Sequence, residues 1–328
     1  MPASSSPVLA GLDVHVVSLP MRVPFRGVKH REALLLQGPA GWGEFSPFLE
    51  YDDDEASRWL ASAVESATVG RPAAVRTSVP VNATVPAVAA PDVPAVLARF
   101  PGCTTAKVKV AQAGQVLADD VARVAAVRAA LGPTGRVRVD ANAAWTLAEA
   151  RVALEALAPF DLEYAEQPCA SLEDLAALRG HGVLIAADES IRKAADPLRV
   201  ALAGAADLVV LKVAPLGGVA RALEVARACG LPVVVSSALD TSVGIAAGVA
   251  LAAALPDLPY ACGLATASLL AGDVVRPSLD GHGGSIAAGP VCPDPELLLA
   301  YVAPEDRRDW WLARLGRCAA VLARGSAP

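Results

Sequence analysis

The sequence predicts an α/β chain built as a modified TIM barrel, (β/α)7β, with an α+β capping domain made from the N-terminal region and the C-terminal tail. Three observations carry that prediction. Eight short apolar runs recur along the middle of the chain, and the first seven are each followed by a segment with helical spacing. Charged residues interrupt those runs near their C-terminal ends. The two ends of the chain lack this pattern and read as antiparallel strands and helices.

The elements follow in order. Residues 11–48 read as strands, LDVHVVSLP and then EALLLQGPAGWGEFSPF, with Gly38-Pro39-Ala40-Gly41 as a hairpin turn. Residues 52–69 read as a helix whose first turn is acidic, as the helix dipole favours. The barrel strands are VPVNATV (79–85), TAKVKVA (105–111), RVRVDAN (136–142), LEYAEQP (162–168), LIAADES (184–190), DLVVLKV (207–213), PVVVSSA (232–238) and YACGLAT (260–266). Apolar strands alternating with helices mean a parallel sheet covered on both faces, and eight of them suggest closure into a barrel. Residues 117–131 form the clearest helix, stopped by Gly132-Pro133. The eighth strand has no obvious helix partner. Residues 294–324 read as two helices, the second starting near Pro304-Glu305. The expected domains are a cap of 1–79 plus 273–328, which sets specificity, and a barrel of 80–272, which carries catalysis and metal.

Composition excludes several functions. The 328 residues carry 34 acidic and 28 basic side chains, a formal charge of −6, and 54% apolar residues. Such a chain can bury a large core, and without Lys/Arg runs it does not read as a nucleic-acid binder. The longest uncharged apolar run, residues 243–255, is too short to span a bilayer. The first residues show no secretory pattern, and six scattered Cys without a CxxC pair read as free thiols, so a cytoplasmic location is expected. The four His form no zinc spacing, and no phosphate-binding Gly motif occurs. Only five of the 28 basic residues are Lys: Lys29, Lys107, Lys109, Lys193 and Lys212.

Three of those Lys fall at strand ends. Lys107 and Lys109 are two apart in one strand and share a face. Asp140, Glu166, Asp188 and Lys212 follow at intervals of 31, 26, 22 and 24 residues, one βα unit each. In a parallel barrel these ends converge on one mouth. Taken singly, Asp140 or Asp188 reads as a helix N-cap, and a strand Lys as an edge residue. Glu166 resists the cap reading, because Pro168 restricts the backbone there. Three carboxylates gathered together repel unless a cation sits among them, and an all-oxygen set without His or Cys suits Mg²⁺, with Mn²⁺ as the alternative. A desolvated Lys beside like charge can shed its proton and act as a base, which Arg cannot. The pattern therefore reads as proton abstraction from a carbon next to a carboxylate, with metal support for the enediolate.

In order, KVK (107–109), DAN (140–142), EQP (166–168), DES (188–190) and LKV (211–213) resemble the enolase superfamily, in its muconate-lactonising-enzyme-like branch. LGGVARALEVARACG (216–230) and SSALDTSVG (236–244) extend the likeness over nearly the whole chain. Within the branch, residues 25–48 and YAEQPC (164–169) are most similar to the o-succinylbenzoate synthases of actinobacterial type. The resemblance implies Mg²⁺-dependent syn dehydration of 2-succinyl-6-hydroxy-2,4-cyclohexadiene-1-carboxylate to 2-succinylbenzoate, in menaquinone biosynthesis. It implies Asp140, Glu166 and Asp188 as metal ligands, Lys109 as base and then acid, and Lys212 as the charge that stabilises the enediolate. Lys107 would hold down the Lys109 pKa or contact a substrate carboxylate. Asn142, Ser236, Ser237, Gly263, Arg26 and Phe45 are the candidate substrate contacts. Arg26 also reads as a surface residue, Asn142 as a structural hydrogen-bonder, and Trp42, Phe45 and Phe48 also as cap core. The branch often has Glu-Ser after the seventh strand, where this chain has Asp240-Thr241. A homo-oligomer is implied by family habit alone. N-succinylamino-acid racemisation or dipeptide epimerisation uses the same Lys pair and stays open, with muconate cycloisomerisation behind it. A non-catalytic barrel predicts decay at one of the six positions, and none is seen.

Overall fold

A computed structural model describes residues 7–25, 27–192 and 198–325. Strands β1 (Asp13–Phe25), β2 (Val28–Gly38) and β3 (Gly41–Phe45) form an antiparallel sheet in that order. Gly38 and Gly41 pair across the turn that the sequence marks. β1 runs further than its apolar pattern suggests, through a register shift between Pro20 and Phe25. Helix α1 (Asp53–Thr68) begins where the Asp52 carboxylate accepts the Glu55 amide at 2.8 Å, satisfying one of the amides exposed at a helix start. It packs so closely on β3 that a Cβ on Gly43 would lie 1.9 Å from the Ala63 carbonyl oxygen.

The first expected barrel strand divides in two. β4 (Ser78–Pro80) stays outside, and β5 (Ala83–Val85) opens the barrel. Then follow α2 (Val93–Leu97), β6 (Thr105–Lys109), α3 (Leu117–Leu131), β7 (Arg136–Asp140), α4 (Leu147–Leu157), β8 (Leu162–Glu166) and α5 (Leu172–Leu178). After β9 (Ile185–Ala187) come two short helices, α6 (Glu189–Arg192) and α7 (Arg199–Leu202). β10 (Leu208–Leu211), α8 (Val213–Leu216), α9 (Val219–Cys229), β11 (Val233–Val235) and α10 (Ser242–Ala254) complete the repeat. The seven strands β5 to β11 are parallel neighbours in sequence order.

The eighth run, 260–266, closes the ring through single bridges on both edges. Cys262 pairs with Val81, its amide donating to the Pro80 carbonyl at 2.7 Å. Gly263 pairs with Ser236, its amide donating to the Val235 carbonyl at 2.8 Å. Tyr164, Ala186, Leu208, Val210 and Val234 fill the interior. Fully buried Arg138 stacks on Tyr164 at 4.7 Å and bonds Glu163 and Asn82.

Beyond the barrel, β12 (Ser285–Ala287) pairs with β4. The chain then returns to the cap through α11 (Pro295–Ala300) and α12 (Glu305–Gly325), close to the two helices expected. Val302 bridges Val17 of β1, and the Arg307 and Trp311 side chains both donate to Glu32 of β2. No helix among the described residues is long and apolar enough to cross a membrane. Cys103, Cys169, Cys262, Cys292 and Cys318 are free thiols.

Candidate active site

Parallel register brings the strand-end residues level. Lys109 pairs with Asp140, and Asp140 with Glu166, across three adjacent strands. Asp188 follows β9 directly and Lys212 follows β10. β6 and β10 lie four strands apart in the sheet, so Lys109 and Lys212 face each other across the mouth. All six sequence candidates therefore meet at the C-terminal end of the barrel, where the strand alternation aims them inward.

Their charges interlock. The Lys107 ammonium donates to Glu166 Oε1 at 2.7 Å and lies 3.1 Å from Asp140 Oδ2. Lys109 donates to Asp140 Oδ2, and to Asn142 Oδ1 at 2.8 Å. Lys212 donates to Asp188 Oδ2. Burial lowers the Lys109 pKa and the nearby Lys107 charge lowers it further, against the upward pull of Asp140, leaving it below its ordinary value. For Lys107 the carboxylates of Glu166 and Asp140 outweigh burial, and its pKa stands well above normal. One lysine is thus fixed as a cation while its neighbour is eased toward the neutral amine. Lys107 touches the protein's own carboxylates and also lines the cleft.

Among the described residues, no three His, Cys, Asp or Glu side chains are gathered into a ready-made metal cage. Ammonium groups occupy the carboxylates instead. The set still fits a hard divalent cation. Burial, together with the charges of Asp140 and Asp188, pushes the Glu166 carboxyl up to about 7 despite Lys107. Glu166 Oε2 is buried without a hydrogen-bond partner. Oxygen-only donors of this kind suit Mg²⁺ or Mn²⁺.

Above the charges lies a narrow cleft, with about 40 Å³ of free room inside it. Lys107, Lys109, Asn142 and Lys212 line its floor, Ser236, Ser237 and Gly263 one wall, and Phe48, Tyr51 and Trp59 of the cap its roof. Ser237 Oγ bonds the Gly263 carbonyl at 2.8 Å and Thr266 Oγ1 at 2.7 Å. A Cβ on Gly263 would sit 2.5 Å from Ser236 Oγ, so glycine keeps that corner open.

Some cap residues differ from expectation or escape it. Phe45 is not a pocket residue: it is fully buried in the cap, edge-on to Trp311 with ring centroids 5.8 Å apart. Strand alternation turns it toward α12, and Phe48, beyond the strand end, takes the pocket position. Trp42 stacks near His15, away from the cleft. Arg26 lies outside the described residues.

Other site residues were not singled out from the sequence. Gln167, held at φ +38, accepts the amides of Asp188 and Ser190 at 3.0 and 3.1 Å and donates to Ser190 Oγ. It pins the loop that presents Asp188. The EQP motif contained that signal, because a buried amide can satisfy a neighbouring loop's donors and acceptors at once. Trp59 had no signal beyond being aromatic in the cap.

Residues 95–293 match the family described as enolase C-terminal domain-like, and residues 16–67 the one described as enolase N-terminal domain-like. The chain is 59% identical over 311 residues to the o-succinylbenzoate synthase of Mycolicibacterium smegmatis, covering 94% of this chain and 96% of that one. It is 56% identical over 317 residues to the o-succinylbenzoate synthase of Mycobacterium marinum, covering 95% of each. The muconate lactonizing enzyme of Pseudomonas putida superimposes with a TM-score of 0.75 at 20% identity, over 90% of this chain and 99% of that one.

Proposed function

Because the chain belongs to the enolase superfamily, we propose that it acts as an o-succinylbenzoate synthase, dehydrating 2-succinyl-6-hydroxy-2,4-cyclohexadiene-1-carboxylate to 2-succinylbenzoate in menaquinone biosynthesis. The observation that carries this reading is identity of 56–59% over nearly the whole chain to enzymes of that name, with every expected strand-end residue meeting at one mouth.

The chemistry follows from the geometry. Lys109, as the neutral amine, takes the proton from the ring carbon that bears the carboxylate, leaving an enediolate. Lys212, from the opposite wall, supplies positive charge to it. The carbon–oxygen bond on the neighbouring ring carbon then breaks, and the Lys109 ammonium returns its proton to the departing hydroxide as water. The ring becomes aromatic and Lys109 is a neutral amine again. One acid/base on one face suffices for syn elimination. Lys107 helps by remaining a cation and lowering its neighbour's pKa. Asp140, Glu166 and Asp188 would hold Mg²⁺ or Mn²⁺, which when bound neutralises these carboxylates and adds charge stabilisation to the enediolate. The roof from segment 1–79, with 273–328 buttressing it, sets which carboxylate fits.

Facing lysines also suit a racemase, which needs a group on each side of the carbon. The test is to assay dehydration of the cyclohexadiene acid beside racemisation of N-succinylamino acids, with Mg²⁺. Dehydration should dominate. Racemisation far faster than dehydration would reverse the ranking, and activity persisting without any divalent metal would remove the ligand triad.

A further inference from the structure

The pocket wall formed by Ser236, Ser237, Ala238 and Leu239 has an awkward path. Leu239 sits at φ +65, in the left-handed region that a branched side chain disfavours. The neighbouring Asp240 braces the turn from within, its Oδ2 accepting the Ala238 amide at 3.0 Å. The rest of the bracing comes from another part of the chain, two side chains of the cap sheet.

Arg31 of β2, 3% exposed, reaches across the junction. Its Nε donates to the Leu239 carbonyl at 2.9 Å and its Nη2 to the Ala238 carbonyl at 3.2 Å. Nη2 also donates to the Ser46 carbonyl, and to Ser46 Oγ at 3.0 Å. The guanidinium lies 4.8 Å from the centre of the Phe48 ring, which roofs the pocket. Glu44 of β3 takes the other end of the loop. It accepts the Thr241 amide at 3.1 Å, Thr241 Oγ1 at 2.6 Å, the Gly244 amide at 3.0 Å and Ser46 Oγ at 2.7 Å. Ser46 therefore ties both charged groups together. A buried guanidinium facing two buried carboxylates is a poor source of stability compared with apolar packing, but it fixes a unique register where several bonds must be made at once.

We propose that Arg31 and Glu44 are positioning residues, which lock the 236–241 wall of the pocket to the cap so that roof and wall recognise the substrate as one surface. The consequence for substrate rests on the dehydration reading above; the brace itself does not. Thr241 thereby acquires a role, since its amide and hydroxyl are what Glu44 grips, while Asp240 holds the turn from within.

The test uses Arg31→Lys, which can satisfy fewer of the acceptors, and Ser46→Ala, which loosens the brace without stranding a buried charge. Amide hydrogen exchange at 236–244 is read without substrate. Removing charge-assisted bonds should speed exchange there by about tenfold or more, with distant peptides unchanged. Steady-state kinetics should show KM raised by a similar factor and kcat changed by less than about threefold. Unchanged exchange at 236–244 in both variants overturns the proposal. So does exchange that rises uniformly over the molecule, or a loss confined to kcat. If the unaltered protein fails to dehydrate the cyclohexadiene acid, the exchange result still decides the brace, and only the functional reading falls.

Discussion

Replacing Lys107 by Met keeps its length and removes one ammonium. That ammonium stands 2.7 Å from Glu166 and 3.1 Å from Asp140, in a residue 6% exposed. Asp140 retains Lys109, so the loss falls on Glu166, whose second oxygen already has no partner. Stripping one member from a buried ion pair costs about 3–5 kcal/mol where the remaining charge is left uncompensated, and less to the extent that Glu166, already pushed up to about 7, takes up a proton. At roughly 2–4 °C of melting temperature per kcal/mol, the variant should melt about 10 °C lower in EDTA. A cation held by the carboxylates stabilises a protein by about 2.7 kcal/mol at a hundredfold excess over its Kd, and it narrows the gap by as much as it binds the variant, freed of the competing ammonium, more tightly than the parent. The assay is thermal unfolding followed by circular dichroism at a fixed scan rate, for both proteins, in EDTA and in Mg²⁺. A wide gap in EDTA that narrows in Mg²⁺ is expected. A variant melting within about 2 °C of its parent in EDTA would refute the reasoning, as would equal Mg²⁺ increments in the two proteins.

Lys109→Ala should lower dehydration by about a thousandfold while the protein stays folded, and substantial retained turnover would remove Lys109 as the base. Gly263→Ala places a methyl group 2.5 Å from Ser236 Oγ, so KM should rise with little change in melting temperature; an unchanged KM counts against that wall as substrate contact. Glu32 is pushed up by burial, but bonds from Arg307 and Trp311 and the Arg307 charge hold its pKa below the ordinary 4.5. The unfolded chain therefore binds the proton first, and the stability Glu32 contributes is present above 4.5 and lost as pH falls through the lower folded value. Urea midpoints of the parent and Glu32→Gln should converge between neutral and acid pH, and a constant gap would contradict this.

The barrel was readable because its physics is local. Each apolar run is one strand, and alternation with period two assigns Lys107, Lys109 and Asp140 to the inner face without any knowledge of neighbours. Helix ends were equally local, as the acidic start at Asp52 and the Gly132 stop illustrate. The cap was harder. Phe45 and Phe48 look alike in sequence, and only the packing of α12, more than 250 residues later, decides which one is core. Arg31 sits in the polar run Lys29-His30-Arg31-Glu32 and Glu44 in GWGEF, and their partners at 238–244 lie about 200 residues away, with no spacing to announce them. Arg138 carries a local signal of the barrel kind, since it shares the inner face with Asp140.

Ring closure also orders events during synthesis. The edge beside Val81 stays open until Cys262 is made, and Val17 waits for Val302. At a ribosomal pace of 5–20 residues per second, roughly ten seconds or more separate the two lips of the barrel. The cap sheet must survive still longer with an unpartnered edge. A nascent chain of this kind holds its first strands in reserve, and the substrate wall at 236–263 is among the last parts of the molecule to exist.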